Sequence, residues 1–206
     1  MNLTQASAQI ILASASPRRR ELLQQIGINA IAQAVDIDET KQPEESVNEY
    51  VERLAMEKAQ RGFDIILNED SLPVLGSDTI VEIDGDVLGK PENHQHAKEI
   101  LMRLSGQQHE VHTSVAIITT DKKVIATSSS HVQFKKLETS EIENYLATGE
   151  ADDKAGAYAI QGIAAQFVKN INGSFSGVMG LPLYETVELL KQCGVIPLKN
   201  MRASEK

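Results

Sequence analysis

Strand-like and helix-like signals alternate along this chain, and capping or turn residues punctuate them. Few folds other than α/β accept that rhythm. Ile10–Ala13 reads as a short buried strand. Ser16-Pro17 then opens a helix, with Ser at the N-cap and Pro at the first helical position, and Gly27 closes it. Ser46 and Glu49 form a capping box for a second helix ending near Gly62. Val74–Ile83 reads as a strand, Asp84-Gly85 as a hairpin turn and Val87-Leu88 as the second arm. A helix is expected over Pro91–Leu104, with Ala97, Ile100, Leu101 and Leu104 on one stripe. Val111, Thr113, Val115 and Ile117 alternate as a half-buried strand, and Val124–Phe134 follows as another. Ser140 and Glu143 make a capping box for a helix ending at Gly149. Asp152–Gln161 is a loop or short helix, Ala165–Ile171 is strand-like, and Pro182 starts a last helix that Gly194 stops. The expectation is a mixed sheet with helices outside it.

Composition narrows the function. With 206 residues and 41% hydrophobic side chains, the chain can bury a core without staples. Its one cysteine, Cys193, excludes an intrachain disulfide. A net charge of -9 repels nucleic acid, and 4% aromatics with no tryptophan is thin for stacking on bases. No apolar run approaches the ~18 residues of a membrane span. The first residues, MNLTQASAQ, lack a basic region, so a secretory signal is not expected and the cytoplasm is the default location.

Several residues sit badly with structure alone. Arg18-Arg19-Arg20 occupy the first turn of their helix, whose N-terminus already carries roughly half a positive charge. Either an anion relieves them, with Ser14, Ser16 and the exposed N–H groups completing a phosphate site, or the turn is solvated and paired with nearby carboxylates. Val47, Val51, Leu54 and Lys58 fall within a ~60° sector of one helix, so Lys58 either snorkels outward or meets a buried anion. Asp78 lies inside the strand-like VLGSDTIV, where aspartate is depleted. It is a metal ligand, a general base, or half of a buried pair with an arginine. Glu39 follows the strand-like Ala34–Ile37. With Asp36 and Asp38 it either holds a divalent cation through oxygen ligands or belongs to an acidic surface loop. Lys90, between Gly89 and Pro91, has a fixed direction and an open purpose.

Other candidates are weaker. His94 and His96 face different ways on a helix, and His109 and His112 point to opposite faces of a strand, which disfavours a histidine zinc site. The glycines of 162–180 do not form a P-loop, and Gly173–Gly177 reads as a turn between packed elements.

Taken in order, LASASPRRRELL at 12–23, DIDET at 36–40, EKA at 57–59, GSDTIV at 76–81, GKP at 89–91, LSGQQHEVHTSVAI at 104–117, DKAGAYAIQG at 153–162 and GLPL at 180–183 resemble the Maf family of nucleoside triphosphate pyrophosphatases. The resemblance implies an α/β fold with an elongated mixed β-sheet flanked by helices, two lobes and a central cleft, similar to inosine triphosphate pyrophosphatases. The resemblance covers roughly residues 9–192; a single domain over 9–197 is expected, with 1–8 and 198–206, which lie outside the resemblance, as mobile tails. It implies hydrolysis of a nucleoside triphosphate at the α–β bond with a divalent cation, magnesium or manganese, and it suggests a homodimer.

The family divides by base. The branch preferring 7-methyl-GTP has Trp, Gln and Glu where this chain has Arg18, Thr79 and Gln161, and the present residues resemble the dTTP/UTP branch. The neutral Gln161 amide offers a donor and an acceptor, matching the N–H and C=O edge of uracil or thymine. In the implied roles, Arg19, Lys58 and Lys90 neutralise the triphosphate, and Ser14 and Ser16 hold phosphate oxygens or fix the loop. Arg18 touches base, phosphates or both. Glu39 and Asp78 serve a metal and a water, with Asp78 favoured as proton acceptor. Two alternatives accompany this reading. One is a nucleotide-binding regulator of septum formation with little catalysis. The other is a 7-methyl-GTP pyrophosphatase.

Overall fold

A computed structural model describes residues 8–65 and 72–197; the expected tail residues 1–7 and 198–206 lie outside the described residues. The chain runs β1 (Ile10–Leu12), α1 (Pro17–Gln25), β2 (Ala30–Ala32), α2 (Val47–Ile65), β3 (Val74–Ile83), β4 (Asp86–Leu88), α3 (His94–Leu104), β5 (Gln108–Ile118), β6 (Lys123–Phe134), α4 (Thr139–Leu146), two 3₁₀ turns (Ala155–Ala157 and Ile163–Phe167), β7 (Val168–Asn172), α5 (Phe175–Met179) and α6 (Leu183–Gln192). The strands form a seven-stranded sheet in the order β2-β1-β3-β5-β6-β7, with β4 paired to β3. The sheet is mixed, as expected. β1 runs parallel to β2 and β3, while β4 is antiparallel to β3 and β7 to β6. No helix among the described residues is long and apolar enough to cross a membrane.

The chain divides into two compact units. One takes the residues up to Asp78, Ser114–Thr127 and those from Gly180 on; the other takes Thr79–Thr113 and Ser128–Met179. In the first unit, Ile11, Ala13 and Val74 pack with Phe63 of α2. Ala55 and Ala59 of the same helix pack with Ala116 and Ile118 of β5. Small residues let α2 lie close to the strands. A Cβ at Gly76 of β3 would stand 2.4 Å from both the Ala55 carbonyl oxygen and the Ala59 amide nitrogen. Gly62 is a second close approach, because a Cβ there would sit 2.9 Å from Ala13 Cβ and Val74 Cγ1. Gly62 therefore serves packing and does not end α2, which continues to Ile65.

The remaining differences from the expected elements have local causes. The segment 34–37 has no regular structure; the strand lies at Ala30–Ala32, in register with Ile10–Leu12. α3 starts at His94, because Asn93 Oδ1 accepts from the His96 N–H at 2.9 Å and caps it. α4 is boxed by Glu138 and Glu141, not by Ser140 and Glu143, since the helix begins at Thr139 and places Ser140 inside it. Glu143 pairs with Lys98 of α3 instead. Gly173–Gly177 leads into α5, with Ser174 Oγ accepting from the Gly177 N–H at 3.0 Å.

In the core of the second unit, Leu101 and Leu104 meet Val132, Phe134, Tyr145 and Phe167. His109 is buried among these aromatic rings, edge-on to Phe134 at 5.0 Å and to Tyr158 at 5.5 Å. Its Nε2 lies 2.8 Å from the Tyr158 hydroxyl, and its Nδ1 has no hydrogen-bond partner among the described residues. Burial pushes the His109 pKa down from 6.5 to about 4. The unfolded chain thus binds a proton that the folded one refuses between those values. Stability from this group is fully present above about pH 6.5 and is lost as the pH falls towards 4, by about 3 kcal/mol in all. Chemical denaturation across that range should show this acid limb in the native protein, and His109→Gln, which stays neutral, should flatten it. An unchanged slope in the variant would exclude His109 as its source.

Candidate active site

β1 delivers the chain to a tight corner. The Ser14 N–H donates to Leu12 O at 2.8 Å, and the Ser16 N–H donates to Ser14 Oγ at 3.1 Å. Pro17 then starts α1. Ser16 holds the N-cap position, but its side chain makes no cap bond, and the first turn of α1 holds no acidic residue. The positive helix end is thus left to Arg18 and Arg19, while Arg20 is exposed. Arg19 is half-buried: its Nε donates to Gly180 O at 2.8 Å and its Nη1 to Ser14 Oγ at 3.3 Å. Burial lowers the Arg19 pKa, and the nearby Asp78 carboxylate opposes that shift. Burial also lowers that of Arg18, against the pull of Glu21. The Gly180 carbonyl accepts a second bond, from Ser77 Oγ at 3.1 Å, which ties α1 to β3.

Lys58 does not snorkel. Its ammonium donates to Asp78 Oδ1 at 2.6 Å and pairs with Glu39 Oε1 at 2.6 Å. Asp78 is buried, at 8% exposure, whereas the Glu39 side chain is 48% exposed. Asp78 is therefore hydrogen-bonded to a lysine. Its charge is also felt by Arg19. One end of the first unit so gathers Ser14, Arg19, Glu39, Lys58 and Asp78.

Glu39 has no regular element to hold it. Asp38 Oδ1 accepts from the Thr40 N–H at 2.9 Å, so Asp38 closes a turn. Tyr50 and Arg53 of α2 secure the loop: Tyr50 Oη donates to Glu39 O at 2.5 Å, and Arg53 Nη2 donates to Thr40 O at 3.0 Å. The sequence reading missed both residues. Tyr50, Arg53, Glu57 and Lys58 follow helical spacing, which was the available signal. It also missed Gly76, although a glycine inside a strand pattern marks a close backbone approach.

The second unit holds the other expected residues. Thr79 Oγ1 lies 3.0 Å from Thr113 Oγ1, which donates to Gly177 O at 2.8 Å. Lys90 is exposed, beside a Gly89 carbonyl that accepts from the Gly156 N–H at 3.1 Å. Gln161 is exposed as well, and the Glu150 carboxylate fixes the chain just after it by accepting from the Ile163 and Ala164 N–H groups at 2.9 and 3.2 Å.

No group of three or more His, Cys, Asp or Glu side chains that could hold a metal ion occurs among the described residues. Glu39 and Asp78 supply two carboxylates drawn to one ammonium. That donor set fits a magnesium-type cation, which is commonly held by one or two carboxylates with the rest of its shell from phosphate and water.

The chain is 48% identical over 198 residues to a protein named dTTP/UTP pyrophosphatase from Colwellia psychrerythraea, covering 95% of this chain and 93% of that one. Proteins of the same name from Pseudoalteromonas atlantica and Nitrosospira multiformis are 51% and 48% identical, over 89% and 94% of this chain and 96% and 98% of theirs. Among solved structures, the Staphylococcus aureus Ham1 protein aligns at 12% identity over 61% of this chain and 71% of that chain. Its TM-score is 0.45. The family model described as Maf-like protein matches residues 9–193, and with nearly all of its length so matched, this chain belongs to the Maf family.

Proposed function

We propose that this chain is a nucleoside triphosphate pyrophosphatase that cleaves dTTP and UTP between the α- and β-phosphates, releasing the monophosphate and pyrophosphate. The observation that carries the reading is the Lys58 ammonium set 2.6 Å from both Glu39 and Asp78, in the unit that also holds the Arg19–Ser14 pair. A structural ion pair needs one carboxylate. Two carboxylates on one lysine, next to a helix end that lacks acidic residues, suit a site that handles phosphate and water together. The names of the relatives support the same reaction.

In the mechanism, Ser14, Ser16, Arg18 and Arg19 bind the phosphates together with the uncapped N–H groups of α1. Lys58 holds Glu39 and Asp78 in one orientation. A divalent cation, magnesium or manganese, bound through Glu39 and Asp78 would neutralise phosphate charge and acidify a water. Asp78 takes the proton as the water oxygen bonds to the α-phosphorus and the bridging oxygen leaves with pyrophosphate. Lys90 adds positive charge for the leaving group, and Arg18, Thr79 and Gln161 select the base; these assignments rest on the motifs that carry them.

The test is pyrophosphate release from dTTP, UTP, CTP, GTP and 7-methyl-GTP, with magnesium, with manganese and with chelator. The expected result is turnover of dTTP and UTP that chelator abolishes. In the same panel, Gln161→Glu should lower kcat/KM for dTTP and UTP relative to the guanine nucleotides by about tenfold or more, as an anion replaces the amide donor. Turnover confined to 7-methyl-GTP would overturn the base assignment, and tight binding without turnover would overturn the enzymatic one.

A further inference from the structure

We infer that Tyr50 and Arg53 are positioning residues that set the metal-binding posture of Glu39, an inference that rests on the role proposed for Glu39 above. Residues 34–42 form no helix or strand, so no backbone ladder fixes that stretch. Val35 packs on the core of Ile11, Ala13 and Val74, and the side chains that bond to the carbonyls around Glu39 come from α2. Tyr50 Oη reaches the carbonyl of Glu39 itself, and Arg53 reaches the carbonyl of the next residue, Thr40.

Arg53 is itself held. Its Nε and Nη2 fork onto Glu45 at 2.7 and 3.1 Å, and its Nη1 reaches Glu57 at 3.3 Å. Glu45 also accepts from the Gln42 N–H at 3.0 Å, so the returning arm of the loop hangs on the same guanidinium. The Tyr50 ring lies 5.5 Å from the Arg53 guanidinium carbon, within cation–π range. The Glu45 hydrogen bonds raise the Arg53 pKa further, so the guanidinium stays charged at any working pH. The fork is half-buried and two-pronged, which fixes the guanidinium in one plane. It ties the backbone next to Glu39 to the same helix that carries Lys58, whose ammonium pairs with the Glu39 carboxylate at 2.6 Å.

Tyr50→Phe removes one hydroxyl and keeps the ring beside Arg53. The expected result is an unchanged melting temperature and dTTP KM, with kcat down about tenfold, the scale of one hydrogen bond. The reading that a purely structural role would not move is metal affinity. Manganese binding, followed by loss of the free-ion paramagnetic resonance signal with α,β-methylene dTTP present, should weaken about tenfold. Arg53→Gln should weaken it at least as much, and Tyr50→Phe should add nothing in a Glu39→Gln background. Native manganese affinity and kcat in Tyr50→Phe, with both lost in Glu39→Gln, would overturn the positioning role alone. Native values in Glu39→Gln would overturn the role of Glu39 on which it depends.

Discussion

Asp78→Asn should lower dTTP turnover by about three orders of magnitude while the protein stays folded and still binds nucleotide. Asparagine has the shape of aspartate but no basicity, and a positioned proton acceptor contributes about 10²–10⁴-fold. Asp78 is buried and already engaged by Lys58, so the exchange leaves the lysine paired with Glu39 and does not strand an ammonium. Binding of the metal-free triphosphate should hold or tighten, because one repelling charge is gone. Pyrophosphate release and calorimetric titration with dTTP, run on the same preparation, separate the two effects. A folded variant retaining a tenth of native turnover would remove Asp78 from both the base and the metal role.

Gly76→Ala should damage stability and turnover together. The new methyl would lie 2.4 Å from two backbone atoms of α2 and 2.9 Å from a third, Ala59 Cα, and no flexible side-chain tip is there to yield. Either β3 or α2 must shift. Overpacking of this severity costs about 3 kcal/mol, or roughly 6–12 °C of melting temperature in a chain of this size. A displacement near 1 Å between the elements carrying Asp78 and Lys58 should lower kcat about 100-fold below the new melting point. Gly89→Ala, with nothing within 4 Å of the added carbon, is the stability control and should melt like the native protein. Native melting and turnover in Gly76→Ala would show that the approach of strand and helix is looser than the distances state.

These positions also mark what the sequence made legible. Lys58 and Asp78 stood out because each violates the burial pattern of its element, and the structure joins them. Arg19 stood out because charge of its sign is disfavoured at a helix start. The parallel pairing of β1 with β2 was not legible, since three residues carry too little periodicity to fix a strand. The box at Glu138 was hidden because Ser140 and Glu143 offer the same spacing two residues later. Tyr50 and Arg53 were hidden for another reason. Helical spacing places them near Lys58, but they serve a loop through its backbone carbonyls, and side-chain identity does not say which carbonyls a helix residue will reach.

The 19-residue helix α2 carries the lysine, the two anchors of the Glu39 loop and the alanines that receive Gly76. Charge placement, loop tether and strand spacing thus all depend on this one helix being formed. Unwinding of α2 would therefore remove all three at once.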